Sequence, residues 1–184
     1  MDLKPYITFS AILFSLSFYV GFTYYSSSGE GFPLILEPLR ELVEIFKGLS
    51  QIERVLFIFF NNAIKSFLNI LLGPILGLYP LAFILLNGFM LGLAFSIASS
   101  SGGLIIAILS ILPHGVLELP AIIICNALGF RLAYTAFKSV FGGNGVLREL
   151  KRSLKLYLFI IIPILFIAAI IEVFITPKLA GISI

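Results

Sequence analysis

Residues 5–25, "PYITFSAILFSLSFYVGFTYY", hold no charged side chain. As an α-helix, about 20 apolar residues cross the hydrocarbon core of a bilayer. Predominantly apolar runs recur at 55–78, 80–99, 103–137 and 156–175. A chain built this way cannot fold as an ordinary water-soluble domain. Hydrophobic residues make up 60% of it and charged residues 11%, against roughly 45–50% and about 25% in soluble domains. Lipid must therefore cover the surface that charges do not. The expected fold is all-α: a polytopic transmembrane bundle of about five crossings, one domain over residues 1–184. A signal peptide would start basic, carry a shorter apolar core and end at a small-residue cleavage site. The first run follows Asp2 and Lys4 without such a site, so it is expected to be a retained span. Tyr24 and Tyr25 at its end suit an interface, and with no Trp in the chain Tyr must supply most of any aromatic belt.

Between the first two spans, "SSSGEGFP" reads as a loop and residues 34–49 as an external amphipathic helix. Leu39, Leu42, Val43, Phe46 and Leu49 fall on one side, and Glu37, Arg40, Glu41, Glu44 and Lys47 on the other. The basic residues give the orientation. Arg131, Lys138, Arg148, Lys151, Arg152 and Lys155 are half of the chain's 12 Lys and Arg, against one acid, Glu149. The 26–54 segment is net acidic. The 138–155 loop is therefore expected in the cytoplasm and 26–54 outside, with the N-terminus in and the C-terminus out. The net charge of +3 then reflects membrane topology, and no nucleic-acid-binding face is expected. Anionic lipid headgroups suit the basic loop.

Polar side chains at membrane depth are costly and call for protein partners. The second span carries Asn61, Asn62, Lys65, Ser66 and Asn69, which can share one inward face. Asparagines there also serve as helix–helix glue. For Lys65 a pairing or functional role is expected, because a lone ammonium is costly glue. Asn87, Gly88, Gly92, Ser96 and Ser100 mark the third span, and Gly73 and Gly77 the second. Stripes of small residues let backbones approach closely. Gly73, Gly77, Gly88, Gly92 and Ser96 are therefore read as packing positions, within one chain or in a homodimer or higher oligomer.

Residues 103–137 are apolar for 35 positions, too long for one straight span, and Pro113, Gly115 and Pro120 interrupt them. A kink or an unwound segment is expected at 113–120, in a broken helix surrounded by protein or a cavity. His114 and Glu118 stand four apart there. Two readings compete. In one, His114, Glu118 and Lys65 form a neutral lock against the second span. In the other, His114 and Glu118 handle a proton, an ion or a metal. A closed zinc site needs about four ligands, and the single Cys, Cys125, lies 11 residues past the single His, about 16 Å along a continuous helix. One subunit cannot easily complete such a site; two could share one. Glu172 near the end of the last span is expected at the interface.

The stretch "LPHGVLELPAIIICNALGFRL", residues 112–132, resembles the signature of the SpoIIM-like (stage II sporulation protein M) integral membrane family, with P-H-G-x-x-E-L-P-A complete from Pro113 to Ala121 and Gly129 following. Upstream, "FFNNAIKSFLNILLGPILGLYPLAFILLNGFMLG" resembles the same family, so the likeness covers about residues 55–137. It implies a polytopic membrane protein. In spore-forming bacteria such proteins belong to a septal and engulfment assembly with peptidoglycan-degrading partners. The motif marks a site without naming its chemistry.

No P-loop, no G-x-S-x-G and no H-E-x-x-H occur. The protein is expected to be non-enzymatic. Asn61, Asn62, Lys65, Asn87, His114, Glu118 and Asn126 are expected to converge on a buried polar site near mid-membrane. The leading expectation is a small transporter or channel-type component that binds a solute or ion there. The alternatives are a scaffold recruiting membrane partner proteins and, third, an intramembrane metal-dependent enzyme. No cofactor is expected beyond a metal ion at His114 and Glu118.

Overall fold

The structure, a computed structural model, describes residues 2–28 and 44–181. The helices are α1 (Lys4–Ser28), α2 (Gln51–Leu71), α3 (Leu78–Gly102), α4 (Leu104–Val140), α5 (Val146–Leu156), α6 (Ile162–Phe174) and α7 (Thr176–Ala180), with a π-helical turn at Tyr157–Ile161 joining α5 to α6. No strand occurs among the described residues. Five helical stretches there are long and apolar enough to cross a membrane, the last running unbroken over Val146–Phe174. Most of the amphipathic helix expected at 34–49 lies outside the described residues; its last part, 44–48, is helical.

Several helix boundaries have a local cause. Ser50 and Glu53 close a capping box on α2: the Ser50 amide donates to Glu53 Oε2 at 2.8 Å, and the Glu53 amide to Ser50 Oγ at 3.4 Å. Arg54 then donates to the carbonyls of Phe46 and Lys47, which end the preceding helical turn. Gly77, at φ 69°, supplies the left-handed residue that turns the chain from α2 into α3. Pro163 stands in the first turn of α6, where its ring would strike the carbonyl four residues back in a tight α-helix. The wider π turn just before it removes that conflict.

The helix expected to break at 103–137 does not unwind. α4 is helical throughout its 37 residues, with Pro113 and Pro120 inside it. Pro113, Gly115 and Pro120 are thus positions in a continuous helix rather than an unwound hinge. The helix continues across both missing N–H donors although one side of this stretch, with Leu112, Val116 and Pro120, faces outward. α4 is also the centre of the bundle, touching α1, α2, α3, α5, α6 and α7. Ile70, Ala121, Cys125, Leu128, Leu132, Tyr157, Ile161 and Leu165 form the main core around its second half.

The small-residue stripe lies between α1 and α3. A Cβ on Gly88 would sit 2.6 Å from the Phe14 carbonyl oxygen, and one on Gly92 would collide with the Phe18 carbonyl. Ser96 is buried on the same side. Gly73 and Gly129 press backbone to backbone between the α2–α3 turn and α4, and Gly77 faces Phe130 and Ala133. All of these contacts lie within one chain.

The two ends of the bundle differ. At one end α1 and α5 begin and α4 finishes. There Arg131 donates from Nη1 to the Asp2 carbonyl at 2.6 Å and pairs with Glu149 at 2.7 Å. Arg148, Lys151, Arg152 and Lys155 surround this pair on the exposed sides of α5 or beside them. At the other end α2 and α4 begin, α6 finishes and α7 follows.

Candidate functional site

That second end holds the polar cluster. His114 and Glu118 are one turn apart on α4 and share a face. α6 carries Glu172 across to them. One ligand-type atom from each of these three residues lies within 4.8 Å of the other two. All three side chains are half-buried. Asn62 on α2 donates from Nδ2 to Glu118 Oε1 at 2.9 Å, and Asn61 donates to Asn62 Oδ1 at 3.3 Å. On α7, the Thr176 hydroxyl lies 3.2 Å from His114 Nδ1 and donates to the Ile171 carbonyl at 3.2 Å.

A cavity of about 180 Å³ opens beside the cluster, lined by Arg54, Ser110, His114, Glu172 and Thr176 among polar residues and by Phe46, Ile58, Val173 and Pro177. Arg54 belongs to the first turn of α2 and Thr176 to the turn after α6. The cavity therefore lies at the end of the bundle. Asn62 is 11 residues beyond Gln51, about 16 Å of helix rise, so the polar trail reaches from that end toward the interior. Beyond it, Ile70, Leu128, Leu132, Ile161 and Leu165, each less than 2% exposed, close the bundle toward the basic end.

The expected convergence on a single site holds for Asn61, Asn62, His114 and Glu118 and is corrected for other residues. Lys65 is exposed and forms no ion pair with Glu118 or Glu172 among the described residues. The inward face of α2 runs through Asn62, Ser66 and Asn69, not through Asn61, Lys65 and Asn69. A spacing of four residues drifts about 40° per step on a helix, so positions 61 and 65 turn outward before 69 turns in. A long lysine stem can carry its ammonium to the bundle surface. Asn126 is not part of the cluster. It donates to Ser10 Oγ at 3.0 Å and accepts from Asn69 Nδ2 at 3.1 Å, with all three residues at 0% exposure. This is a separate, dry link joining α1, α2 and α4. Asn87 donates to its own helix, at the Phe83 carbonyl, 2.8 Å away. It also lines a groove with Glu118, distinct from the cavity beside His114.

Glu172, Thr176 and Arg54 are the site residues that sequence reasoning missed. For Glu172 a signal existed: it is the one charged residue between Lys155 and Lys178. Nothing in the linear pattern marks Thr176 or Arg54, whose places depend on how α7 and α2 dock. Chemically, the cluster offers one imidazole, two carboxylates, an amide and a hydroxyl. That set is of the kind that holds a cation or passes a proton.

The stage II sporulation protein M family model matches residues 10–177. An uncharacterized protein of Methanocaldococcus jannaschii is 32% identical over 187 aligned residues, covering 97% of this chain and 97% of its own. No solved structure matches the chain.

Proposed function

The chain belongs to the stage II sporulation protein M family, and from that premise we propose that it is a small transport component whose cation- or proton-handling site is His114, Glu118 and Glu172. The observation that carries this reading is the meeting of three ionisable side chains from α4 and α6, two of which, His114 and Glu172, line the cavity. Ionisable residues within spans face a bundle interior or a cavity and mark ion pathways and proton relays. Cavity access lies at one end of the bundle and a tight core at the other. This suits a site loaded from one side that must rearrange to release to the other. By the distribution of Lys and Arg the basic end is cytoplasmic, the N-terminus lies inside, and the C-terminus and the cavity lie outside. The reading assigns no catalytic residue.

Reconstitution into liposomes tests it. Wild-type protein should carry protons or divalent cations, read by pH- and metal-sensitive dyes, faster than protein-free vesicles. Glu118→Gln should lower that flux at least about tenfold while its thermal unfolding stays near wild type. Wild-type vesicles no leakier than empty ones would overturn the transport reading. Unfolding of Glu118→Gln, with flux lost only in proportion to folded protein, would make the cluster a structural lock and favour a partner-recruiting scaffold.

A further inference from the structure

We propose that His114, Glu118 and Glu172 bind one divalent transition-metal cation of the zinc type, a step that rests on reading this cluster as an ion site and names its ligand. Four observations support it.

The donor set comes first. One imidazole and two carboxylates suit zinc, cobalt or manganese, whereas calcium and magnesium prefer all-oxygen shells. Ligand atoms around a tetrahedral zinc stand roughly 3.4 Å apart. The three here lie within 4.8 Å of one another, so a small rotation of the two glutamates completes the geometry.

The second is charge. Neither Glu118 nor Glu172 has an ion-pair partner among the described residues. Lys65 acts on Glu118 from an exposed position without forming an ion pair, and among the described residues nothing positive pairs with Glu172; the Arg54 guanidinium that reaches the cavity wall is held by the carbonyls of Phe46 and Lys47. Two neighbouring carboxylates at the edge of a low-dielectric bundle call for a positive charge. A divalent cation supplies it at the point where the carboxylates meet.

The third is the histidine tautomer. The Thr176 hydroxyl stands 3.2 Å from both His114 Nδ1 and the Ile171 carbonyl. When it donates to Ile171 it accepts from a protonated Nδ1, the tautomer that leaves the Nε2 lone pair free for a metal. A ligating histidine is held the same way, with its second nitrogen donating to a fixed acceptor. Asn62 orients Glu118 in the same manner.

The fourth is space. Three protein ligands, two of them lining a cavity of about 180 Å³, leave a coordination position open toward it. Closed structural zinc sites fill all four positions with protein ligands. An open position suits an ion that enters and leaves.

The test uses the tag-free full chain in detergent micelles, titrated with Co²⁺ by its visible absorption and then with Zn²⁺ in competition. One saturable equivalent is expected, displaced by Zn²⁺. Glu172→Gln and His114→Gln should each weaken binding at least about tenfold. Thr176→Val, which keeps all three ligands, should weaken it by a smaller factor, about tenfold at most. Should the ligand variants not fold, wild-type saturation together with the Thr176→Val shift decides the matter. Absence of saturable binding by wild type overturns the proposal, as does a dissociation constant unchanged in folded Glu172→Gln or Thr176→Val. Metal binding and flux fail separately. Proton flux lost in Glu118→Gln without any Co²⁺ binding sinks the metal site and keeps the transport reading. Stoichiometric metal without flux above empty vesicles does the reverse.

Discussion

Asn126 links Asn69 to Ser10 in the driest part of the bundle, where all three side chains are fully buried. A hydrogen bond between membrane helices is worth on average about 0.6 kcal/mol. Stranding a buried amide costs more, about 1–3 kcal/mol. Asn126→Leu should therefore lower stability by about that amount, because it leaves the Asn69 amide and the Ser10 hydroxyl unpaired. Asn69→Leu/Asn126→Leu should cost less than Asn126→Leu alone, since two apolar side chains of similar volume leave no amide unmet. Thermal unfolding of the purified protein in detergent measures both, and a double variant that is less stable than the single one refutes this account. The residue types that populate the interior were legible in the sequence: Asn62, Asn69, Asn126, His114 and Glu118 are all at least half-buried. Their grouping was not. Helical spacing says which residues of one helix share a face, to within one position. It does not say whether Asn62 meets Glu118 or Asn126, because that depends on the depth at which α2 and α4 pack. The direct Lys65–Glu118 pairing is absent for a related reason, since a flexible side chain takes its ammonium to whichever surface its helix rotation offers.

At the scale of elements, α1 and α3 approach closely because Gly21, Gly88 and Gly92 carry no side chain where the partner's carbonyls pass. Lipid tails are as apolar as leucine, so close packing rather than water exclusion holds such a pair together. Gly92→Ala should lower stability by about 1–3 kcal/mol, as overpacking does. Gly48→Ala, where an added Cβ meets nothing within 4 Å, should stay within about 0.5 kcal/mol of wild type. The same unfolding experiment separates the two, and equal effects would refute the packing account. The existence of each span was readable from hydropathy, and Gly73, Gly77, Gly88 and Gly92 were readable as close-packing positions, whereas Gly21 and Gly129 were not. The course of α4 was not. Pro113 and Pro120 argue locally against a helix, yet the packed neighbours on α1, α2, α3 and α6 hold one. The last span likewise starts at Val146, before its apolar run, because the amphipathic α5 continues straight into it with Glu149 and Ser153 turned inward.

For the whole molecule, an odd number of crossings separates the termini. The contacts agree with this arrangement: Asp2 meets Arg131 at one end and His114 meets Thr176 at the other. A fluorescent protein fused to the N-terminus should light up in the cytoplasm, and a phosphatase fused after residue 181 should be active only outside. Activity of both reporters on one side would remove the five-crossing topology. Composition and the lengths of the apolar runs determined by themselves that this chain lives in a bilayer as a helical bundle, because hydrocarbon solvates neither charges nor free backbone. The proline-flanked His–Glu pair likewise announced a polar site. Only the tertiary structure decided that Glu172 joins it, that Lys65 forms no ion pair in it, and that a cavity reaches it from one end of the bundle. Hydropathy is a property of each segment alone, whereas the meeting of side chains from α2, α4, α6 and α7 depends on the rotation and vertical offset of packed helices, which no single segment encodes.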